Sequence, residues 1–89
     1  MANVHFTSWL RDLVPDAPLS AAGGTVGEAL AAALHERTQV RAYLIDEQGR
    51  LRRHVCVFAD GKRLGHQAAL AHPIGADAQL YVMQALSGG

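Results

Sequence analysis

The sequence predicts an α+β fold in which one main helix packs on one face of a mixed sheet. The prediction rests on an alternating segment near the N-terminus, a capped amphipathic helix after it, and two more alternating segments in the second half. With 89 residues, of which 49% are apolar, the chain can build one modest core but not two.

Two predicted strands open the chain. Residues 4–9 alternate with a period of two, which is typical of a half-buried strand. Pro15 and Pro18 bracket a turn, after which residues 19–22 are predicted to pair back on the first strand. The N-terminal part is therefore expected to form a hairpin.

Thr25 and Glu28 form a capping-box pattern at the start of the predicted helix. The Thr25 hydroxyl is expected to accept a hydrogen bond from the amide of Glu28, and the Glu28 carboxylate one from the amide of Thr25. Apolar residues then recur at three- and four-residue spacing: Val26, Ala29, Leu30, Ala33 and Leu34. A helix with one buried face is therefore expected to start here.

The second half begins with a weakly specified segment. Residues 43–45 form a short apolar element that the sequence does not specify as helix or strand, and a turn cluster follows at residues 46–49. Residues 51–59 alternate as a strand does, and Asp60-Gly61 is a pair that favours positive φ in a tight hairpin. Residues 62–64 are the predicted returning strand.

The last strand is predicted at residues 80–83, after a loop with a single helical turn at residues 68–71. The predicted order is thus β-β-α-β-β-β. We expect a domain of residues 1–83 and a flexible tail of residues 84–89 that ends in Gly-Gly.

Composition limits the kinds of partner. Eight Lys and Arg balance eight Asp and Glu, so no overall charge attracts the molecule to nucleic acid or to a membrane surface. The first ten residues do not resemble a signal peptide, and the apolar run at residues 29–34 is too short to span a bilayer. The single cysteine, Cys56, agrees with a reducing compartment, so we expect a cytoplasmic protein.

The tail carries the chemistry that the sequence suggests. From Val82 to Gly89 it can reach roughly 23 Å when extended, which is enough to enter another protein's active site. Gly88 and Gly89 have no Cβ, so the backbone can pass a narrow channel and expose its terminal carbonyl. A carboxylate must be activated before it reacts, and no ATP-binding loop occurs in the chain, so a partner must bind the ATP. The alternative is an inert tail.

The sequence resembles the β-grasp sulfur carriers MoaD and ThiS over nearly its whole length. The similar segments are Val4–Val14, Thr25–Leu30, His72–Asp77 with Leu80–Met83, and the terminal Gly88-Gly89. The segment Arg50–Gly61 is similar to the longer carriers of the CysO branch. Many family tails read Pro-Pro-Val-x-Gly-Gly, whereas this tail lacks the prolines, which predicts a less rigid tail.

The resemblance implies a ubiquitin-like β-grasp fold and a cycle at Gly89. A ubiquitin-activating-type enzyme (MoeB- or ThiF-like) adenylates Gly89, sulfur displaces AMP, and the thiocarboxylate donates sulfur to a biosynthetic enzyme. Gly88 keeps the tip slim. The chain is then no enzyme and binds no cofactor itself, although it can be the small subunit of a molybdopterin-synthase-like complex. A protein modifier joined to lysine through Gly89 and a plain interaction domain are the alternatives.

A docking patch is predicted on the sheet face away from the helix. If the strands pair as in the β-grasp fold, Phe58, Tyr81 and Met83 share that face, and Leu86 of the tail joins them as a partner-binding residue. Scattered surface apolar residues are the alternative. The basic residues of the second half either steer an acidic partner or protect a sheet edge; they are Arg50, Arg52, Arg53, Lys62 and Arg63.

Two further sites are not expected. Cys56 and His54 are two residues apart on one predicted strand face, but a structural role is favoured over thiolate chemistry. The five histidines show no ligand spacing, so we predict no metal site.

Overall fold

The structure, a computed structural model, describes residues 1–84. Five strands form one mixed sheet in the order β2-β1-β5-β3-β4. The strands are β1 (Ala2–Phe6), β2 (Leu19–Ala21), β3 (Val55–Ala59), β4 (Lys62–Arg63) and β5 (Gln79–Gln84). Within residues 1–84 the helices are α1 (Leu10–Leu13), α2 (Val26–Ala33) and α3 (Thr38–Leu44). The α+β class and the predicted order of strands are confirmed.

The two halves of the chain meet through β5, which lies between β1 and β3. β5 runs parallel to β1 and antiparallel to β3, so both of its edges are hydrogen-bonded. Leu80 and Val82 are fully buried, and they alternate with Tyr81, which is exposed. The period of two seen in the sequence therefore marks the inner face of the central strand.

Helix α2 packs on β1 and β2 and covers the inner face of the sheet with Val26, Ala29 and Leu30. The capping box is partly as predicted: the Thr25 hydroxyl accepts from the Glu28 amide at 3.2 Å. The Glu28 carboxylate, however, accepts from the amide of Gly24 at 2.7 Å rather than from that of Thr25. Both bonds still satisfy amides near the helix N-terminus, which is why the helix starts where the sequence predicted.

Tertiary contacts complete this N-terminus. The amide of Val26 donates to the carbonyl of His72 at 3.1 Å, and that of Gly27 donates to the carbonyl of Leu70 at 2.8 Å. The segment at residues 68–71, predicted as one helical turn, forms hydrogen-bonded turns that continue to His72 instead. Its carbonyls satisfy amides of α2 that have no partner within the helix.

The first strand ends earlier than predicted. Ser8 has a positive φ of 56°, which is rare for a residue with a side chain and turns the chain out of the sheet. Trp9 is consequently the N-cap of α1 and not a strand residue, while Leu10 is fully buried.

Residues 38–44 form a further helix, α3, that the sequence analysis did not predict. The apolar element predicted at residues 43–45 is the end of α3, whose buried residues Val40 and Leu44 are four apart. Arg37 is its N-cap and provides no side-chain cap, so the usual start signal is missing. The strand predicted from residue 51 starts at Val55, because Leu51 instead forms an isolated bridge with Ile45.

The hairpin after β3 is confirmed. Ala59 pairs with Lys62, and Asp60 and Gly61 have φ of 51° and 86°, so the two loop residues both adopt the left-handed conformation. Leu64 lies beyond β4, but its amide still donates to the carbonyl of Val57 at 3.0 Å.

Candidate functional site

The tail begins at the end of the central strand β5, on the side of the sheet where β1 ends and β3 starts. Gln84, the last described residue, pairs with Val55, the first residue of β3. On the other side, the amide of Thr7 donates to the carbonyl of Val82 at 3.0 Å. We call this end of the sheet, marked by Thr7, Gln84 and Val55, the exit edge.

Three predicted site residues lie outside the described residues: Leu86, Gly88 and Gly89. Their roles stay predictions. The structure contributes the anchor from which they start, which is a central strand held by ladders on both sides. Every residue of β5 from Leu80 to Val82 is paired with both neighbouring strands. Inter-strand hydrogen bonds on both sides therefore hold β5 in place when a partner binds the tail.

The register places Phe58, Tyr81 and Met83 on the outer face, away from the buried core. Phe58 lies opposite Tyr81, and Cys56 lies opposite Met83. The side chain of Tyr81 is 37% exposed, while the other three are half-buried. This face is therefore a partly apolar surface that reaches Met83, the residue before Gln84, and its use in docking stays a prediction.

His5 belongs to the same face and was not found by sequence reasoning. It pairs with Tyr81 across the parallel β1–β5 ladder, and the two rings stack with centroids 4.3 Å apart and planes 9° from parallel. Its Nε2 atom is 2.8 Å from Oε1 of Gln79. The period of two indicated that His5 points outward. Its pairing with Tyr81 could not be predicted, because the two residues are 76 apart in the sequence and no local pattern specifies which strands become neighbours. We call His5, Phe58, Tyr81 and Met83 the outer-face patch.

His54 is not on a strand, contrary to the prediction that paired it with Cys56 on one strand face. It lies in the turn before β3, and its ring packs edge-on against Tyr43 with centroids 4.6 Å apart. Tyr43 also contacts Trp9 edge-on at 4.7 Å. Nε2 of His54 is buried and has no hydrogen-bond partner among residues 1–84. The three rings form an aromatic cluster beside the exit edge, because His54 directly precedes Val55.

Asp46 organises the turn before β3. One of its carboxylate oxygens accepts from the amides of Gln48 and Arg50, both at 2.9 Å. The hydrogen bond from the Arg50 amide is the largest cause of a pKa below the ordinary value for this carboxyl group. Asp46 is thus a structural residue of the loop that carries Arg50, Arg52 and Arg53.

No group of three or more His, Cys, Asp or Glu side chains in residues 1–84 is close enough to hold a metal ion. Nor does this part of the chain contain a helix with the length and apolar character needed to cross a membrane.

No protein-family model and no curated protein sequence matches this chain. Solved structures do match it. The small archaeal modifier protein SAMP1 from Methanosarcina acetivorans superposes with a TM-score of 0.81 at 17% identity, covering 99% of this chain and 95% of that one. CysO from Mycobacterium tuberculosis gives 0.80 at 20% identity, with 97% and 100% covered.

A third match is a chain of the BexX/CysO complex from Amycolatopsis orientalis, with a TM-score of 0.82, 21% identity and full coverage of both chains. At these identities the similarity shows the fold. The ubiquitin-like β-grasp fold is therefore confirmed.

Proposed function

We propose that this chain is a sulfur carrier: a partner enzyme adenylates Gly89, and the product becomes a thiocarboxylate that donates sulfur in the biosynthesis of a cofactor or an amino acid. The observation that carries the proposal is the position of β5. This strand lies in the centre of a β-grasp sheet and leads directly to the Gly-Gly end of the sequence. A firm anchor followed by a slim end is what delivery into an active site needs.

The chain supplies the electrophile, and the partner supplies the activation. In the proposed cycle the Gly89 carboxylate attacks the α-phosphorus of ATP and pyrophosphate leaves. A sulfur nucleophile then attacks the acyl carbon and AMP leaves, which produces the thiocarboxylate. No step needs an acid or base from this chain, and the missing Cβ atoms of Gly88 and Gly89 leave both faces of the carbonyl open.

The partner would be a MoeB- or ThiF-like adenylating enzyme, followed by an enzyme that accepts the sulfur. Support comes from the outer-face patch, which offers Tyr81, an aromatic residue of the kind enriched in hot spots. Further support comes from the Amycolatopsis orientalis CysO, which forms a complex with BexX. A small carrier that docks on enzymes, rather than an enzyme itself, accounts for both.

A second candidate is a protein modifier attached to lysine through Gly89. The similarity to the archaeal modifier SAMP1 favours it. The same acyl adenylate would serve, with a lysine amine as the final nucleophile.

Intact mass spectrometry separates the candidates. The full chain is incubated with ATP, Mg²⁺, the adenylating enzyme from the same organism and sulfide. A mass increase equal to the difference between sulfur and oxygen, absent from a variant without Gly89, supports the carrier. Chains joined to lysines of other proteins support the modifier. An unchanged mass, with an enzyme shown separately to adenylate another carrier protein, would refute both.

A further inference from the structure

The structure separates basic residues that the sequence had grouped together. Arg50, Arg52 and Arg53 precede β3, on the side of the exit edge. Lys62 and Arg63 form β4, which pairs with the opposite end of β3. The two groups therefore face different parts of any partner.

The first group lines a groove of about 870 Å³. Residues 49–54 form part of its wall, and residues 66, 67, 70 and 71 together with Asp46 form the rest. The two parts are joined by Nε2 of His66, which lies 2.8 Å from the carbonyl oxygen of Arg52. Nε of Arg52 in turn donates to the carbonyl of Ala42 at 2.8 Å, which fixes its side chain against α3.

The groove has more positive than negative charge. Among its lining residues Asp46 is the only acid, and its carboxylate already accepts two backbone amides. In residues 1–84 the only ion pair joins Arg37 to Asp16, so no groove arginine makes a direct ion pair within this part. The single charge of Asp46, whose pKa Arg50 and Arg52 help to lower, offsets only part of the charge of the three arginines. In a chain with zero net charge this is a local surplus, which attracts an anionic partner group.

The shape favours an extended chain over a small ligand. Pockets for small molecules bury most of their ligand, whereas Arg50, Arg53 and His66 are all exposed. Leu70, which is half-buried, adds apolar surface to the wall of the groove. An acidic peptide segment can lie along such an open groove and pair its carboxylates with guanidinium groups.

The groove also reaches the exit edge. His54 lines it and is followed by Val55, the partner of Gln84 in the sheet. His54 also belongs to the aromatic cluster, in which Tyr43 links it to Trp9. Whatever occupies the groove therefore lies beside the root of the tail.

We propose that this groove binds an acidic segment of the adenylating partner and so fixes the tail's starting point at that partner's active site. The identity of the partner rests on the proposed function. The groove is distinct from the outer-face patch, since its charged residues precede β3 whereas the patch residues lie on β1, β3 and β5.

Adenylation kinetics test the proposal. Arg50→Glu and Arg53→Glu are compared with Lys62→Glu, a matched control that changes net charge equally at the far end of β3. Each groove variant is expected to raise KM for the carrier about three- to tenfold with kcat little changed, since an exposed attraction becomes a repulsion. Lys62→Glu should leave KM unchanged, and added NaCl should raise KM for the wild type more than for Arg53→Glu.

The outcomes are separable. Equal KM for wild type and groove variants, or an equal rise in all three variants, would overturn the groove proposal while adenylation of Gly89 stands. Saturable amide shifts of residues 49–54 with inorganic phosphate at constant ionic strength would assign the groove to a small anion and also overturn it. A wild type that is not adenylated would refute the proposed function and the groove proposal together. Unchanged thermal midpoints in the variants show that KM reports binding.

Discussion

Replacing Gly23 by alanine tests how closely the chain passes the N-terminus of α2. A Cβ atom at this position would lie 2.7 Å from the backbone nitrogen of Ala29 and 2.9 Å from Cβ of Glu28. Ordinary contacts begin at 3.4 Å, so the chain and the helix must separate by about 0.7 Å. Neither neighbour is the end of a flexible side chain, and no rotamer change relieves the clash.

The magnitude follows from two opposing terms. Overpacking of this kind costs about 1–3 kcal/mol, and the reduced freedom of the unfolded chain returns about 0.4–1 kcal/mol. From the middle of each range we expect Gly23→Ala to lower the free energy of unfolding by about 1.3 kcal/mol, which in a domain of this size lowers the melting temperature by about 5–10 °C.

Urea and thermal denaturation of the full chain measure this effect. Gly65→Ala is the matched control, because a Cβ atom there has no neighbour within 4 Å and the residue does not have positive φ. It should change the free energy of unfolding by less than about 0.5 kcal/mol in the destabilising direction. If Gly23→Ala is as stable as the wild type, with an unchanged urea m-value, the close approach does not constrain α2 and the reasoning is wrong.

Four further substitutions test other parts of the molecule. Thr25→Ala removes the acceptor for the Glu28 amide and should cost about 0.5–2 kcal/mol in urea unfolding; no loss would mean that the cap is dispensable. Leu80→Ala empties a fully buried site of the central strand and should cost about 2–5 kcal/mol, whereas a cost below that range would show that the core collapses around it. Asp46 has a lowered pKa when folded, so its stabilising charge acts above the unfolded pKa of about 3.9 and is lost as pH falls through the folded value. Asp46→Asn should therefore be less stable than the wild type at neutral pH and approach it in acid; a difference that persists in acid contradicts this. Tyr81→Ala removes the most exposed ring of the outer-face patch and should raise KM for adenylation about tenfold, and an unchanged KM would place docking elsewhere.

The sequence by itself determined the elements whose signals are local. Thr25 and Glu28 lie within one helical turn of each other, and Asp60-Gly61 needs only its own backbone conformation, so α2 and the β3–β4 hairpin follow from short-range physical chemistry. The Gly-Gly end is likewise read directly from the sequence, and sulfur as its cargo comes from the resemblance.

Only the tertiary structure decided which distant segments meet. The parallel pairing of β1 with β5 stacks His5 on Tyr81, and the packing of α3 brings Tyr43 to His54 and Trp9. The division of the basic residues between two ends of β3 was hidden for the same reason. Hydrophobic alternation states which side chains point inward, but it carries no information on which strand lies next to which, because many pairings bury the same apolar surface.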